Sequence, residues 1–214
     1  MKQILLTISA VCLFSSLFAQ SEIIGKRLYH YLFPDFVEGT VKQKSGEINK
    51  AQLNYNLLTE EMVFEQSGQQ MALDKIENID TVYIRDRKFI PAGEVFYEVA
   101  TNTPVALFIQ HKSKIIPPGN ETGLGTSQTS AITNITDLKS SGLAYKLKLP
   151  DEYKLMPETV YWLKKNEKFV NVKNTKEIEK VFSEKTNQIK DFVKENKINF
   201  KNPADVTKLI LFCN

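Results

Sequence analysis

Between Gly39 and Lys112 the chain alternates apolar and polar side chains with a period of two, and turn-forming residues break the alternation at short intervals. In Ala51, Leu53, Tyr55 and Leu57 the apolar positions interleave with Gln52, Asn54 and Asn56, the pattern of a strand with one face on a core and one in water. Glu38 to Gln43 predicts a strand before it, turning at Ser45-Gly46. Met62 and Phe64 predict one after it, with Ser67-Gly68 as a tight hairpin leading to Met71 and Leu73. Connections this short favour antiparallel neighbours, because parallel strands need long crossovers.

The pattern continues with Thr81 to Arg85, ending at Phe89, Ile90 and Pro91, then Glu94 to Thr101 and Val105 to Lys112 around an Asn102-Thr103-Pro104 turn. Val105, Leu107 and Ile109 alternate with Ala106 and Phe108, so this last strand is apolar on both faces. Such a strand is expected to be central and covered on both sides, with the C-terminal helices and the segment before Asp35 as covers. Leu143 to Leu149 reads as a half-exposed strand. Thr159 to Lys164 and Lys168 to Val172 read as a hairpin turning at Asn166, with Trp162 in a core or half-core role.

After Val172 the period changes. Asn174 is placed to cap a helix, with Glu177 three residues on as its capping-box partner. Ile178, Val181 and Phe182 make one apolar stripe, and Ile189, Phe192 and Val193 another. Lys185 and Thr186 fall where the stripe should run, which predicts a break. Asn202-Pro203 opens a last helix that buries Val206, Leu209 and Ile210. The expected fold is therefore α+β, a mainly antiparallel β-sheet (sandwich or partly open barrel) followed by a short helical segment. Residues 20–172 form the β-rich domain and 173–214 the helices.

Within that domain, residues 113–142 include "KIIPPGNETGLGTSQTSAITNITDLKSSG", a long Gly/Ser/Thr-rich connection without an aromatic residue. A connection of this length is either functional or an excursion of the chain. Its hydroxyls, Thr126, Ser127, Thr129 and Ser130 above all, are the candidate ligand-binding groups, suited to hydrogen-bonding a sugar or a peptide edge.

Chemistry beyond that is not written in the chain. There is no G-x-S-x-G elbow for a serine nucleophile. With two histidines in 214 residues, no H-x-x-x-H and no cysteine pair, the common zinc sites lack ligands. No carboxylates stand at calcium-loop spacing. "GLGTS" lacks the lysine and the strand–loop–helix setting of a phosphate loop. His111 reads as a surface histidine at a strand end, and His30 as a ring in an aromatic cluster between Tyr29 and Tyr31. No metal and no cofactor is expected. A formal charge of +3 does not call for nucleic acid.

The first 19 residues, MKQILLTISAVCLFSSLFA, carry Lys2, an uncharged apolar run from Ile4 to Phe18, and a small residue before Gln20. They read as a cleaved secretory signal. Cys12 leaves with it, so Cys213 is the one thiol of the mature chain, packed in the last helix turn, and no intramolecular disulfide forms. No transmembrane span is expected after cleavage.

The segments "EGTVKQKSGEINKAQLNYN", "EEMVF", "IDTVYI", "FIP", "GTSQTSA" and "IKDFVKENKINF" resemble a group of exported proteins common in Bacteroidota. The resemblance implies export from a Gram-negative cytoplasm and carries no activity or site residue. The expectation is an exported protein of the periplasm or the periplasmic face of the outer membrane. It is read as a non-catalytic β-rich binding or structural module whose partner is an envelope protein or a surface polymer. A periplasmic carrier of a lipid or other apolar ligand is the alternative, with one face of Val105–Ile109 lining a cavity. An enzyme using His111 and a loop serine ranks last. Oligomeric state is left open.

Overall fold

The computed structural model describes residues 30–116, 120–122, 125–127 and 154–214. The segment expected to be a secretory signal, residues 1–19, and the strand expected at Leu143–Leu149 lie outside them. Strands β1 (Val37–Gln43), β2 (Ile48–Asn56), β3 (Glu61–Gln66), β4 (Gln69–Ala72), β5 (Ile79–Ile84), β6 (Arg87–Ala92), β7 (Val95–Val99) and β8 (Ala106–Ile116) come first. A small ribbon, β9 (Asn120–Thr122) with β10 (Gly125–Ser127), follows, then β11 (Lys154–Lys165) and β12 (Lys168–Val172). Ten strands make one antiparallel sheet in the order β12-β11-β8-β7-β6-β5-β1-β2-β3-β4, open at β12 and β4.

The tight turns follow from backbone chemistry. Ser67 and Gly68 both have positive φ (51° and 76°), as do Asn166 and Glu167 (49° and 62°), the geometry of a two-residue hairpin whose twist matches its strands. Gly39 answers a different need. A Cβ there would lie 2.6 Å from the Tyr83 carbonyl oxygen and 2.7 Å from Leu53 Cδ1, so β1 and β5 approach more closely than any side chain permits.

The open sheet curls. β8 pairs with β7 at Glu98↔Ile109 and Val99↔Phe108. Further along, its edge meets the turn after β2, where the Ser113 amide donates to the Leu57 carbonyl at 2.8 Å. The Tyr55 hydroxyl, from β2, donates across the interior to the His111 carbonyl at 3.0 Å. Inside this curl Leu53, Tyr55, Met62, Val82, Ile84, Phe89 and Phe96 are essentially inaccessible to water. Tyr55 stacks on Phe89, with ring centroids 5.9 Å apart.

A second core joins the sheet to the tail. Helices α1 (Thr175–Val181), α2 (Thr186–Glu195) and α3 (Pro203–Cys213) lay Ile178, Ile189, Val206, Leu209 and Ile210 on Leu107, Ile109, Tyr161 and Leu163. The expected break is a 3-10 turn at Ser183–Lys185. The Asn174 side chain accepts from the Glu177 amide at 3.2 Å, while the Glu177 carboxylate reaches the Lys173 amide rather than that of Asn174. Cys213 is a free, buried thiol, pushed up to about 11 by its burial. The expected helical cover is in place on one face of β8 only: the other face, with Phe108 and Gln110, lies beside Phe169 and Trp162, and the segment before Asp35 packs beside β2 instead.

Three expectations are corrected. Asn54 and Asn56 do not face water: both side chains are buried and take up backbone groups, Asn54 those of residues 33–35, which follow a segment paired along β2, and Asn56 those of the turn after β2. Asn54 accepts from the Phe33 amide (3.1 Å) and donates to the carbonyls of Phe33 (2.9 Å) and Asp35 (3.1 Å). Asn56 accepts from the Leu58 and Thr59 amides. Residues 87–92 are not the end of β5 but a strand of their own, since the chain reverses at Arg85, whose φ is 55°. Finally, β8 runs four residues into the 113–142 connection, where Ser113 to Ile116 pair with Lys154 to Pro157 of β11.

Candidate functional site

Two polar networks flank β8, one on each face. On the inner face, Arg87 of β6, Glu98 of β7 and His111 of β8 converge. The register explains this. Phe89 sits opposite Glu98, and Glu98 opposite Ile109, so neighbours two residues along each strand share the face. The Arg87 guanidinium forks onto Glu98, with Nε donating to Oε1 at 2.7 Å and Nη2 to Oε2. His111 Nε2 lies 2.6 Å from Glu98 Oε2 and 2.8 Å from Arg87 Nη2. Arg87 also stands over the Phe33 and Phe89 rings, at 5.5 and 5.6 Å.

Burial alone would raise the Glu98 carboxyl. The hydrogen bonds from His111 and Arg87 and the Arg87 charge overcome it and hold the group down at about 2. Glu98 is therefore a fixed anion, with both oxygens engaged. His111 is no surface histidine: it is 8% exposed, because β8 does not end at Lys112. Its neighbour on the same face, Ser113, keeps a buried hydroxyl that bonds to nothing in the protein, so it makes no pair with the imidazole. The geometry is that of an ionic clamp across β6, β7 and β8.

On the outer face, Trp162 of β11 is half-buried and stacks on Tyr97 of β7, with centroids 5.7 Å apart and planes 14° from parallel. Phe169 of β12 stands edge-on to Tyr97 (5.7 Å) and to Phe108 (5.2 Å) and is 38% exposed. The Lys164 ammonium lies 5.9 Å from the Phe169 centroid. A relay fixes the indole. Trp162 Nε1 donates to Gln110 Oε1 at 3.0 Å, Gln110 Nε2 donates to Glu60 Oε2 at 2.5 Å, and Lys112 Nζ lies 3.2 Å from Glu60 Oε1. Glu60, in the turn before β3, holds φ at 59°. Burial and the Glu60 charge both raise the Tyr97 hydroxyl, keeping it neutral. Four aromatic rings on four strands thus form a surface whose polar edge is set by part-buried hydrogen bonds.

Of the loop hydroxyls singled out from sequence, Thr126 and Ser127 lie on β10, opposite Glu121 and Asn120 of β9. Thr129 and Ser130 lie outside the described residues. The residues the structure does bring together are Arg87, Glu98 and His111 within, from three successive strands, and Tyr97, Trp162 and Phe169 without, spread across some seventy positions of sequence. The legible signal was the outward parity of Phe108 and Trp162 on strands that face each other.

No family model matches the chain, and no match emerges among curated proteins or among solved structures. Among the described residues no helix is long and apolar enough to cross a membrane.

Proposed function

We propose that the protein is an exported cell-envelope binding module, without catalysis of its own, located in the periplasm or on the periplasmic face of the outer membrane. Its working surface is the outer aromatic face at Tyr97, Trp162 and Phe169. The observation that carries this reading is the Glu60–Gln110–Trp162 relay. It spends a half-buried carboxylate and a buried amide on fixing one indole at a half-exposed place. Rigid aromatic side chains supply contact area at small entropic cost, and flat rings with polar groups at their edge suit an envelope protein or a surface polymer. The sequence of residues 1–19, a lysine followed by an uncharged apolar run and a small residue, supports the location.

The carrier reading rested on β8 having an apolar face to spare. That face, Leu107 and Ile109, packs on the helices. The enzyme reading rested on His111, whose Nε2 is taken up by Glu98 and Arg87.

Native mass spectrometry of the protein taken from its own envelope, beside a crosslinking pull-down, tests the proposal. A stoichiometric envelope protein or polymer fragment that is lost in Trp162→Ala supports it. A bound lipid mass would point instead to the carrier, and a bare protein in both assays would contradict the binding reading.

A further inference from the structure

We infer that β12 is a self-association edge, through which two copies of the chain join their sheets antiparallel about a two-fold axis at Val170. This inference is independent of the proposed function. β12 ends the ten-stranded sheet, so among the described residues one side of it carries backbone groups with no strand partner. Which groups these are follows from the hairpin. The two-residue turn Asn166-Glu167 makes Lys165↔Lys168 a hydrogen-bonded pair. Lys168, Val170 and Val172 therefore turn their N–H and C=O toward β11, while Phe169 and Asn171 turn theirs outward.

A copy rotated about Val170 meets this pattern at every position. Phe169 falls opposite Asn171 of the second copy, and Asn171 opposite its Phe169, so the outward donors and acceptors exchange bonds. Val170 faces its own counterpart as a non-hydrogen-bonded pair, in which side chains come closest. Lys168, the one charge within the strand, faces Val172 and not itself. One step beyond, Glu167 lies in the hairpin turn and its carboxylate is held by Lys164 at 2.7 Å, so the pairing ends with the strand and sets no like charges against each other. Axes at Phe169 or Asn171 keep the bonding parity but leave part of the strand unpaired.

Exposure agrees. Phe169 (38%) and Val170 (42%) lie on opposite faces of the same edge, and β12 carries no proline or bulge to turn a partner away. Five residues per copy bury far less than the roughly 1,200 Å² of a stable complex, so the dimer is a weak, concentration-dependent one.

The test is sedimentation equilibrium of the purified mature protein over a wide concentration range, together with two variants. The wild type should rise from monomer to twice the monomer mass. Val170→Lys, which sets two ammonium groups against each other on the axis, should weaken association by at least roughly tenfold. Its thermal midpoint and near-ultraviolet circular dichroism should be unchanged. Val170→Cys should form a disulfide-linked dimer on mild oxidation, since a non-hydrogen-bonded pair sets Cα atoms about 4.5 Å apart, within disulfide reach. Cys213 is buried and does not compete, and Ile48→Cys, on an exposed site in β2, should stay monomeric. A wild type that stays monomeric throughout, a dimer that survives Val170→Lys, or a Val170→Cys protein that crosslinks no better than Ile48→Cys would each overturn the inference.

Discussion

His111 Nε2 lies 2.6 Å from Glu98 Oε2, on an oxygen that Arg87 also holds. The carboxylate is thus kept ionised by two neighbours rather than by solvent, and it joins three strands where the curled sheet would otherwise splay.

The clamp ties stability to pH. The folded Glu98 carboxyl sits at about 2 against an ordinary value of 4.5, so its contribution is complete above about pH 4.5 and is lost as pH falls toward 2. Urea unfolding of Glu98→Gln should show a loss of about 3 kcal/mol at neutral pH, and the gap to wild type should close between pH 4.5 and 2. A gap that stays constant through that window would mean the ion pairs contribute nothing.

Gly39 should tolerate no side chain. Its would-be Cβ meets the Tyr83 carbonyl at 2.6 Å, a backbone atom that cannot swing away. Gly39→Ala should lower unfolding free energy by about 1–3 kcal/mol, read from the urea midpoint at unchanged m. An unshifted midpoint would show that β1 and β5 can part without cost.

Asn54 fastens residues 33–35 to β2. Asn54→Ala strands the buried Phe33 amide and two carbonyls, and should cost about 2–4 kcal/mol. Hydrogen exchange should accelerate at Phe33 more than at Val82 in the sheet centre. Uniform acceleration would instead report global destabilisation.

The helices should open only with the sheet. Cys213 is 1% exposed, and its thiol is pushed up to about 11, so labelling at neutral pH should be slow. It should become fast at the same urea concentration at which Trp162 fluorescence changes. Labelling that precedes the fluorescence transition would mean the tail undocks by itself.

What could be read from sequence was what is local. Ser67-Gly68, Asn166, Asn174 and Asn202-Pro203 announce their turns and caps because each works through its own backbone. The apolar parity of β8 foretold its helical cover for the same reason. Asn54 departs from its pattern because an alternating polar residue says "water" unless backbone groups from elsewhere reach it, and those of Phe33 and Asp35 are about twenty positions away. Arg87, Glu98 and His111 were out of reach for that reason too. Each is ordinary alone, and strand order, which periodicity does not encode, makes them a cluster. Pro91 read as a terminator, whereas it sits within β6 opposite Phe96.

The outer aromatic face is the surface proposed to meet a partner. The most direct measurement is photocrosslinking in intact cells with a benzophenone side chain at position 164, between Trp162 and Phe169, compared with the same group at Tyr83, which is 41% exposed on β5. A discrete adduct from position 164, absent at 83 and abolished by Trp162→Ala, is the predicted result. Equal adducts from both positions, or none from 164, would contradict it.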